Sequence, residues 1–318
     1  VAETSIEWTE RVWNATTGCD RITAGCDNCY ALTMAKRLKG MGSAKYQNDG
    51  DPRTSGPGFG VTVHPDALTE PLRWRKPGMI FVNSMSDLFH ARVPREFVVR
   101  VFAVMASTPH LTYQILTKRP ERAARMLTDL CDCGSGHAPG VHFRSDMEWA
   151  ATPHSPTYVP GLESGIYHRT VWPLPNVWIG TSIESDQHVR RADALRNTPA
   201  AVRFISAEPL LGPLPSLDLA GIDWLIAGGE SGPRSRSMDL SWVRDLVGRC
   251  RTAGTAPFVK QLGSVWAARS PQVVVDSCSV SASDTPVSRV DKKGGDWQFW
   301  PPDLRVREFP RVAEAVSA

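Results

Sequence analysis

Short runs of Val, Ile, Leu and Phe recur along the chain, each bounded by glycine or polar residues, at 79–83 (MIFVN), 112–116 (TYQIL), 177–180 (VWIG), 202–206 (VRFIS), 224–228 (WLIAG) and 258–261 (FVKQ). Runs this short and this apolar predict strands buried on both faces, the kind that parallel sheets contain. Between them lie segments of helical periodicity: 95–107 (REFVVRVFAVMAS), which follows Pro94, then 186–196 and 241–253. Strands alternating with helices predict an α/β fold with a parallel sheet covered by helices. Six or seven such units favour a (β/α) barrel, complete or partial, over an open doubly wound sheet.

Two stretches break this rhythm. Residues 131–175 are rich in Gly, Pro, His and Ser and predict an irregular insertion or lid. Residues 267–288 are similarly irregular, and 297–310 (WQFWPPDLRVREFP) predict a packing extension, so that 267–318 forms a C-terminal extension to one domain spanning 1–318. No internal repeat of fixed period is present.

Composition narrows the class. Hydrophobic residues make up 42% and charged residues 22%, as in ordinary globular domains. The absence of a long apolar run or a signal-like start predicts a cytoplasmic protein with no membrane span. The net charge of +3 does not by itself indicate a nucleic-acid binder. Seven cysteines in such a chain point to metal or cluster ligation rather than disulfides.

Three of those cysteines share one segment, 13–30 (WNATTGCDRITAGCDNCY), where Cys19, Cys26 and Cys29 follow a C-x6-C-x2-C spacing with Gly18 and Gly25 just before two of them. Three thiolates on a glycine-flexed loop suit zinc or an iron–sulfur cluster. A closed zinc site needs a fourth ligand, and none is near in sequence; His64 and Cys131 are the distant candidates. A 4Fe-4S cluster on three cysteines, with one iron open to a further ligand, is the favoured reading; zinc and three unliganded thiols are the alternatives.

The motifs SIEW at 5–8, GCDNCYA at 25–31, PLRWRKP at 71–77, FVNSMSDLFH at 81–90, LTKRPER at 116–122, SAEPLLGP at 206–213, GGESGP at 228–233 and VKQLG at 259–263 carry a resemblance to phage and prophage three-Cys-motif proteins of unassigned activity. That family in turn resembles divergent radical S-adenosylmethionine enzymes, whose usual spacing is C-x3-C-x2-C. The resemblance implies a radical-enzyme-like barrel with the cluster at the C-terminal ends of the strands. It also implies that S-adenosylmethionine binds the open iron and, on one-electron reduction by an external electron donor, yields a 5′-deoxyadenosyl radical.

Catalytic groups of such barrels sit just beyond the strand C-termini, where this chain supplies Asn83, Ser84, Ser86 and Asp87; Lys118 and Arg119; Ser182 and Glu184; Glu208; Glu230; and Lys260. The resemblance implies ribose contacts for Ser182 and Glu184. It also likens Gly228–Glu230 to an amino-group-binding motif that in those enzymes follows the second strand; here the second-strand position is held by 83–87, the first choice for the cofactor's polar end. Glu208 and Glu230 complete the cofactor-binding set. Asp87 as a helix cap and Glu208 as a partner of loop amides are the structural readings of two of these residues.

Lys118, Arg119, Arg234 and Lys260, with Arg236 and with Arg73, Arg75 and Lys76 around Trp74, predict cations converging on the barrel mouth to attract a nucleotide or nucleic-acid substrate. Cys131, Cys133 and His137, with His142, His154 and His168 nearby, make a second candidate metal site. Cys250 falls on a predicted helix and reads as core, and Cys278 as incidental. Two functions follow: a radical S-adenosylmethionine enzyme that repairs or modifies nucleic acid, or a non-catalytic metal-bound module that binds nucleic acid or protein.

Overall fold

The computed structural model describes residues 4–131, 134–269 and 291–311. The chain opens with strand β1 (Arg11–Trp13) and a small antiparallel pair, β2 (Thr16–Thr17) with β3 (Thr62–Val63). Six further strands follow: β4 (Gly78–Val82), β5 (Leu111–Thr117), β6 (Val177–Ser182), β7 (Val202–Ala207), β8 (Trp224–Gly228) and β9 (Ala256–Gln261). β1 and these six form one seven-stranded parallel sheet in the order β1-β4-β5-β6-β7-β8-β9. Sheet order follows chain order without reversal, so the switch point that defines an open doubly wound sheet is absent.

The sheet curls into a half-barrel. β4 and β8 are separated by four inter-strand steps, about 19 Å in a flat sheet. Yet the ring of Trp8 lies 4.7 Å from Phe81 on β4 and 6.1 Å from Trp224 on β8. Alternation along each strand sends one set of side chains inward. Phe81, Trp178, Val202, Phe204, Trp224, Ile226 and Phe258 pack with Trp8 into an apolar floor inside the curl. The opposite set, including Ile80, Val82, Tyr113, Ile115, Ile179, Ile205, Leu225 and Val259, joins the main core beneath the helices. Gly180 leaves room for that floor, since a Cβ there would lie 2.4 Å from the Phe204 ring.

The helices are α1 (Tyr30–Gly40), α2 (Arg95–Ala106), α3 (Pro120–Thr128), α4 (Val141–Ala151), α5 (Ile166–Arg169), α6 (Arg191–Arg196), α7 (Leu240–Ala253) and α8 (Ser264–Arg269). Cys250 is buried on α7, in the core as its helical position predicts. The stretch 131–175 is more ordered than its composition predicts. Within it α4 buries Phe143, Met147, Ala150 and Ala151 and packs on α2, with Phe143 edge-on to Phe102. α2 is apolar around nearly its whole circumference, so the sheet covers one side and α4 covers the other.

The C-terminal tail packs as its aromatic content predicts. Val259 N–H donates to the Val306 carbonyl, Trp224 Nε1 donates to the Glu308 carbonyl, and Phe309 stacks on Trp224 at 5.3 Å. These contacts cover the outer edge of β9 and cap the apolar floor. Cys278 lies outside the described residues.

Trp224 is fully buried and touches rings from the strands on either side, the N-terminal lead and the tail. Trp224→Ala is therefore expected to destabilise the fold by about 3–5 kcal/mol, the range for removing a buried large aromatic. Urea unfolding measures this, and half-buried Trp74 mutated to Ala serves as the comparison with a smaller loss.

Candidate functional site

The chemistry-bearing loop leaves β2 at Gly18 and enters α1 at Tyr30. Gly18 has a positive φ of +84°, and a Cβ there would lie 2.2 Å from the Gly60 carbonyl oxygen, so only glycine lets the chain turn into Cys19 at this approach. Gly18 N–H donates to the Met85 carbonyl, which fixes the loop to the end of β4. Cys26 closes a 3-10 turn (Ala24–Cys26), and Cys29 stands at the N-terminus of α1, where the helix dipole favours a thiolate.

The loop is tied down on both sides. Asp20 accepts hydrogen bonds from the hydroxyls of Thr54 and Ser55, from His90 Nε2 and from Arg92. The Arg92 amide donates to His90 Nδ1, so His90 is the Nε2–H tautomer, and burial and the Arg119 charge push its pKa down. On the far side Glu230 accepts from the guanidinium and amide of Arg236 and from Asn28 Nδ2. Arg236 also donates to the Ala24 carbonyl and stands 3.6 Å from Asp27.

Asp87 occupies the heart of the arrangement, 5% exposed. It accepts from the Phe89 amide, the Thr117 hydroxyl, the Lys118 amide and Arg119 Nη1 at 2.7–3.1 Å. The same Arg119 nitrogen lies 3.6 Å from Cys19 Sγ. Burial and the Asp87 charge push the Cys19 thiol up to about 12, against the pull of Arg119. Burial also raises Cys29, opposed by the Ala31 and Leu32 amides and by Lys118. Cys26 acts electrostatically on both Cys19 and Cys29, so the three sulfurs share one neighbourhood.

Below the loop lies a polar layer above the aromatic floor. Glu184 is fully buried, and a Cβ on Gly25 would sit 3.0 Å from its carboxyl carbon. Arg191 donates to Glu184 Oε2 at 3.2 Å, whereas Oε1 accepts no well-formed hydrogen bond: His188 Nε2 is 3.8 Å away and only the Thr23 hydroxyl stands near it. Burial would raise the Glu184 pKa, but Lys118, Thr23 and Arg191 hold it below the ordinary value. Lys260 binds both oxygens of Glu208 at 2.7 and 2.9 Å, and Gln261 adds a third bond. Tyr30 donates to the Ser84 carbonyl; burial and the Cys29 charge raise its pKa although its ring is 55% exposed.

The sequence-named residues therefore divide. Asp87, Glu208 and Glu230 are saturated by the partners above. Ser86 is committed to the Thr16 hydroxyl and carbonyl, and the Ser84 hydroxyl donates to Asn14. The Ser182 carbonyl accepts from Arg191. Asn83, at φ +61°, accepts the Thr16 amide through Oδ1 and leaves its buried Nδ2 without a partner. Among the cations, Arg119 and Lys260 are ion-paired, exposed Arg234 contributes its carbonyl to Asn28, and Lys118 stands among Glu184, His188 and Cys29.

The basic group at 73–76 does not reach the mouth. It precedes β4, and the Trp74 carbonyl bonds His110, which precedes β5, so Arg73, Arg75 and Lys76 sit at the opposite, N-terminal end of the strands. Arg236, named with the cations of the mouth, is found there paired with Glu230, whereas Asp20, His90 and Arg191 were not singled out from the sequence. Asn28 and Tyr30 lie inside or beside the cysteine motif and were within reach.

Two ligand groups differ in spread. Among the described residues, the group of three whose ligand atoms all lie within 4.8 Å of one another is Cys131, His137 and His142. Cys133 lies outside the described residues. Cys19, Cys26 and Cys29 do not form so tight a group. A tetrahedral zinc, with Zn–S near ~2.3 Å, would bring its sulfurs to about 3.8 Å. His64 Nε2 bonds the Thr17 hydroxyl at 2.8 Å, and Cys131 is grouped with His137 and His142.

Fold and site together define an α/β half-barrel with a cysteine loop anchored over the C-terminal ends of its parallel strands. A family model described as "Protein of unknown function (DUF5131)" matches residues 3–298, and the chain belongs to that family. No curated protein and no solved structure matches it.

Glu230→Ala should loosen the cysteine loop, lowering stability by about 1–3 kcal/mol through lost charged hydrogen bonds and raising protease cleavage between residues 21 and 29. Hydrogen bonds from Arg236 and Asn28 outweigh burial and hold the Glu230 pKa below its ordinary value. The anchor is thus complete above about pH 4.3 and weakens as pH falls from there through the folded value, which limited proteolysis across an acid pH series reads out.

Proposed function

We propose that this protein is an iron–sulfur enzyme of the radical S-adenosylmethionine type, in which Cys19, Cys26 and Cys29 hold a 4Fe-4S cluster. The observation that carries the reading is the trio of thiols on one loop anchored over the C-terminal ends of the strands, with Arg119 beside Cys19 and buried Glu184 beneath Gly25. Bound there, the cluster would supply the electron that cleaves S-adenosylmethionine to a 5′-deoxyadenosyl radical.

The chain's own residues have distinct tasks in this reading. Asp87 holds Arg119 against Cys19, so that a fixed cation stabilises the thiolate. Cys29 gains the same help from the start of α1 and from Lys118. Asn83 Nδ2 is a buried polar atom lacking a partner and Glu184 Oε1 has none beyond the nearby Thr23 hydroxyl, and we assign them to the cofactor's ribose or carboxylate and ammonium groups. Ser182, on the same strand end as Glu184, is the third contact. The apolar floor excludes water from beneath the chamber, which a radical requires. Lys118 and Arg234 favour an anionic substrate, and nucleic acid is the first class to test.

Anaerobic reconstitution with iron and sulfide should give a brown protein that cleaves S-adenosylmethionine to 5′-deoxyadenosine after reduction. A reconstituted protein that forms none, even with nucleic acids supplied, refutes the reading. Cys26→Ala should lose its iron while keeping its far-UV circular dichroism. Glu184→Gln should keep its iron and bind S-adenosylmethionine at least tenfold more weakly, about 1.4 kcal/mol.

A further inference from the structure

We infer that Cys131, His137 and His142 form a zinc site that clips the α3–α4 connection, separate from the cysteine loop. The Cys131 sulfur and one ring nitrogen from each histidine lie within 4.8 Å of one another. His137 Nδ1 and His142 Nε2 are 3.1 Å apart, with the rings inclined at 68°. Two imidazole nitrogens bound to one tetrahedral zinc, at Zn–N of about 2.0–2.1 Å, are separated by about 3.3 Å. A hydrogen bond between the rings would also give the nitrogen spacing, but it gives no reason for a thiol to join them.

The connection is tied at its base by the Gly140 amide, which donates to the Thr128 carbonyl, but gains little from apolar burial. Residues 134–139 are all exposed, and Leu130 just before them is 79% exposed, so apolar burial does not hold this stretch. Gly134 and Gly136 both adopt positive φ, +77° and +60°, with open space where a Cβ would be. They are needed for the turn that returns His137 towards Cys131, not for close packing. Fixing such a loop costs conformational entropy that metal coordination offsets. The donors also suit the metal: one thiolate and two neutral imidazoles form a borderline-soft set typical of zinc.

The clip would have a mechanical role. Cys131 follows the C-terminal end of α3, and His142 lies in the first turn of α4. Asp129 and Asp146, on either side of the site in sequence, both pair with Arg95 at the start of α2. A zinc ion closing 131 to 142 would hold α4 where its Phe143 and Met147 cover the outer side of α2.

The test is metal analysis of the full chain purified without chelator in zinc-supplemented medium. About one zinc per chain is expected, lost in His142→Ala and in His137→Ala but retained in Cys26→Ala, which separates this site from the cluster reading. Cobalt(II) added to chelator-stripped Cys26→Ala protein, whose cysteine loop is disabled, should give a sulfur-to-cobalt charge-transfer band and tetrahedral visible bands. That spectrum keeps the test decisive if a histidine variant fails to fold. A protein that binds neither metal, or one whose zinc content is unchanged by both histidine substitutions, overturns the assignment in favour of a ring-to-ring hydrogen bond alone.

Discussion

A carboxylate buried as completely as Asp87 must be met by donors on every side, because an unpaired charge in a protein interior is severely destabilising. Here the donors come from three places: the Phe89 amide in its own loop, the Thr117 hydroxyl and Lys118 amide at the end of β5, and the Arg119 guanidinium. Satisfying that charge therefore locks the β4 and β5 exits together. It also aims Arg119 at Cys19 and fixes the backbone from which Lys118 extends towards Glu184 and Cys29. Position and electrostatics at the cysteine loop are consequences of one solvation requirement.

The curl of the sheet divides the inner face into two zones. Near the N-terminal ends, rings from β4, β6, β7, β8 and β9 fill the space against Trp8. Towards the C-terminal ends the inward positions become Gly228, Lys260 and Ser206, followed by Glu184 and Glu208 beyond the strands. Large residues below and small or charged ones above leave room only at the mouth. The loop bearing the cysteines spans that mouth, held by Asp20 on one side and Glu230 on the other. Both anchors are charge-assisted networks rather than apolar contacts, as suits a polar rim.

The strands that form the half-barrel wall were legible in the sequence because each is a compact apolar run with turn residues after it. The run at 79–83 became β4, and those at 112–116, 177–180, 202–206, 224–228 and 258–261 lie within or almost coincide with β5 to β9. β1 was not legible: three residues, Arg11–Trp13, are too few to show a period. Nor was α4, whose glycine- and proline-rich flanks hid an apolar face. The clue lay elsewhere, in an α2 sequence apolar on both sides and so in need of a second cover. Strand-end polarity correctly gathered Asp87, Glu184, Glu208, Glu230 and Lys118 at one end, since strand direction alone decides that. It did not reveal which carboxylates are already neutralised, because Arg119, Arg236 and Lys260 reach them across sequence gaps of 32, 6 and 52 residues. Proximity in sequence misled at 73–76, where the chain has not yet entered the strand that would carry it to the mouth.

The two ligand groups illustrate how donor type and spacing divide labour within one chain. Imidazole nitrogens held 3.1 Å apart beside a thiol have the spacing that a single ion would need, and on their exposed loop its task would be structural. Cys19, Cys26 and Cys29 are half-buried on the anchored loop and interact electrostatically through Cys26. Burial there raises Cys19 and Cys29, which keeps them protonated until a strongly positive acceptor displaces the protons. A site of that kind discriminates by charge as well as by shape. Arg119 and the α1 N-terminus lessen the cost of the thiolate form without removing it, and Glu184 beneath Gly25 is held charged by Lys118, Thr23 and Arg191. Paired charges at the mouth and a neutral aromatic floor below it are thus two halves of the same electrostatic arrangement.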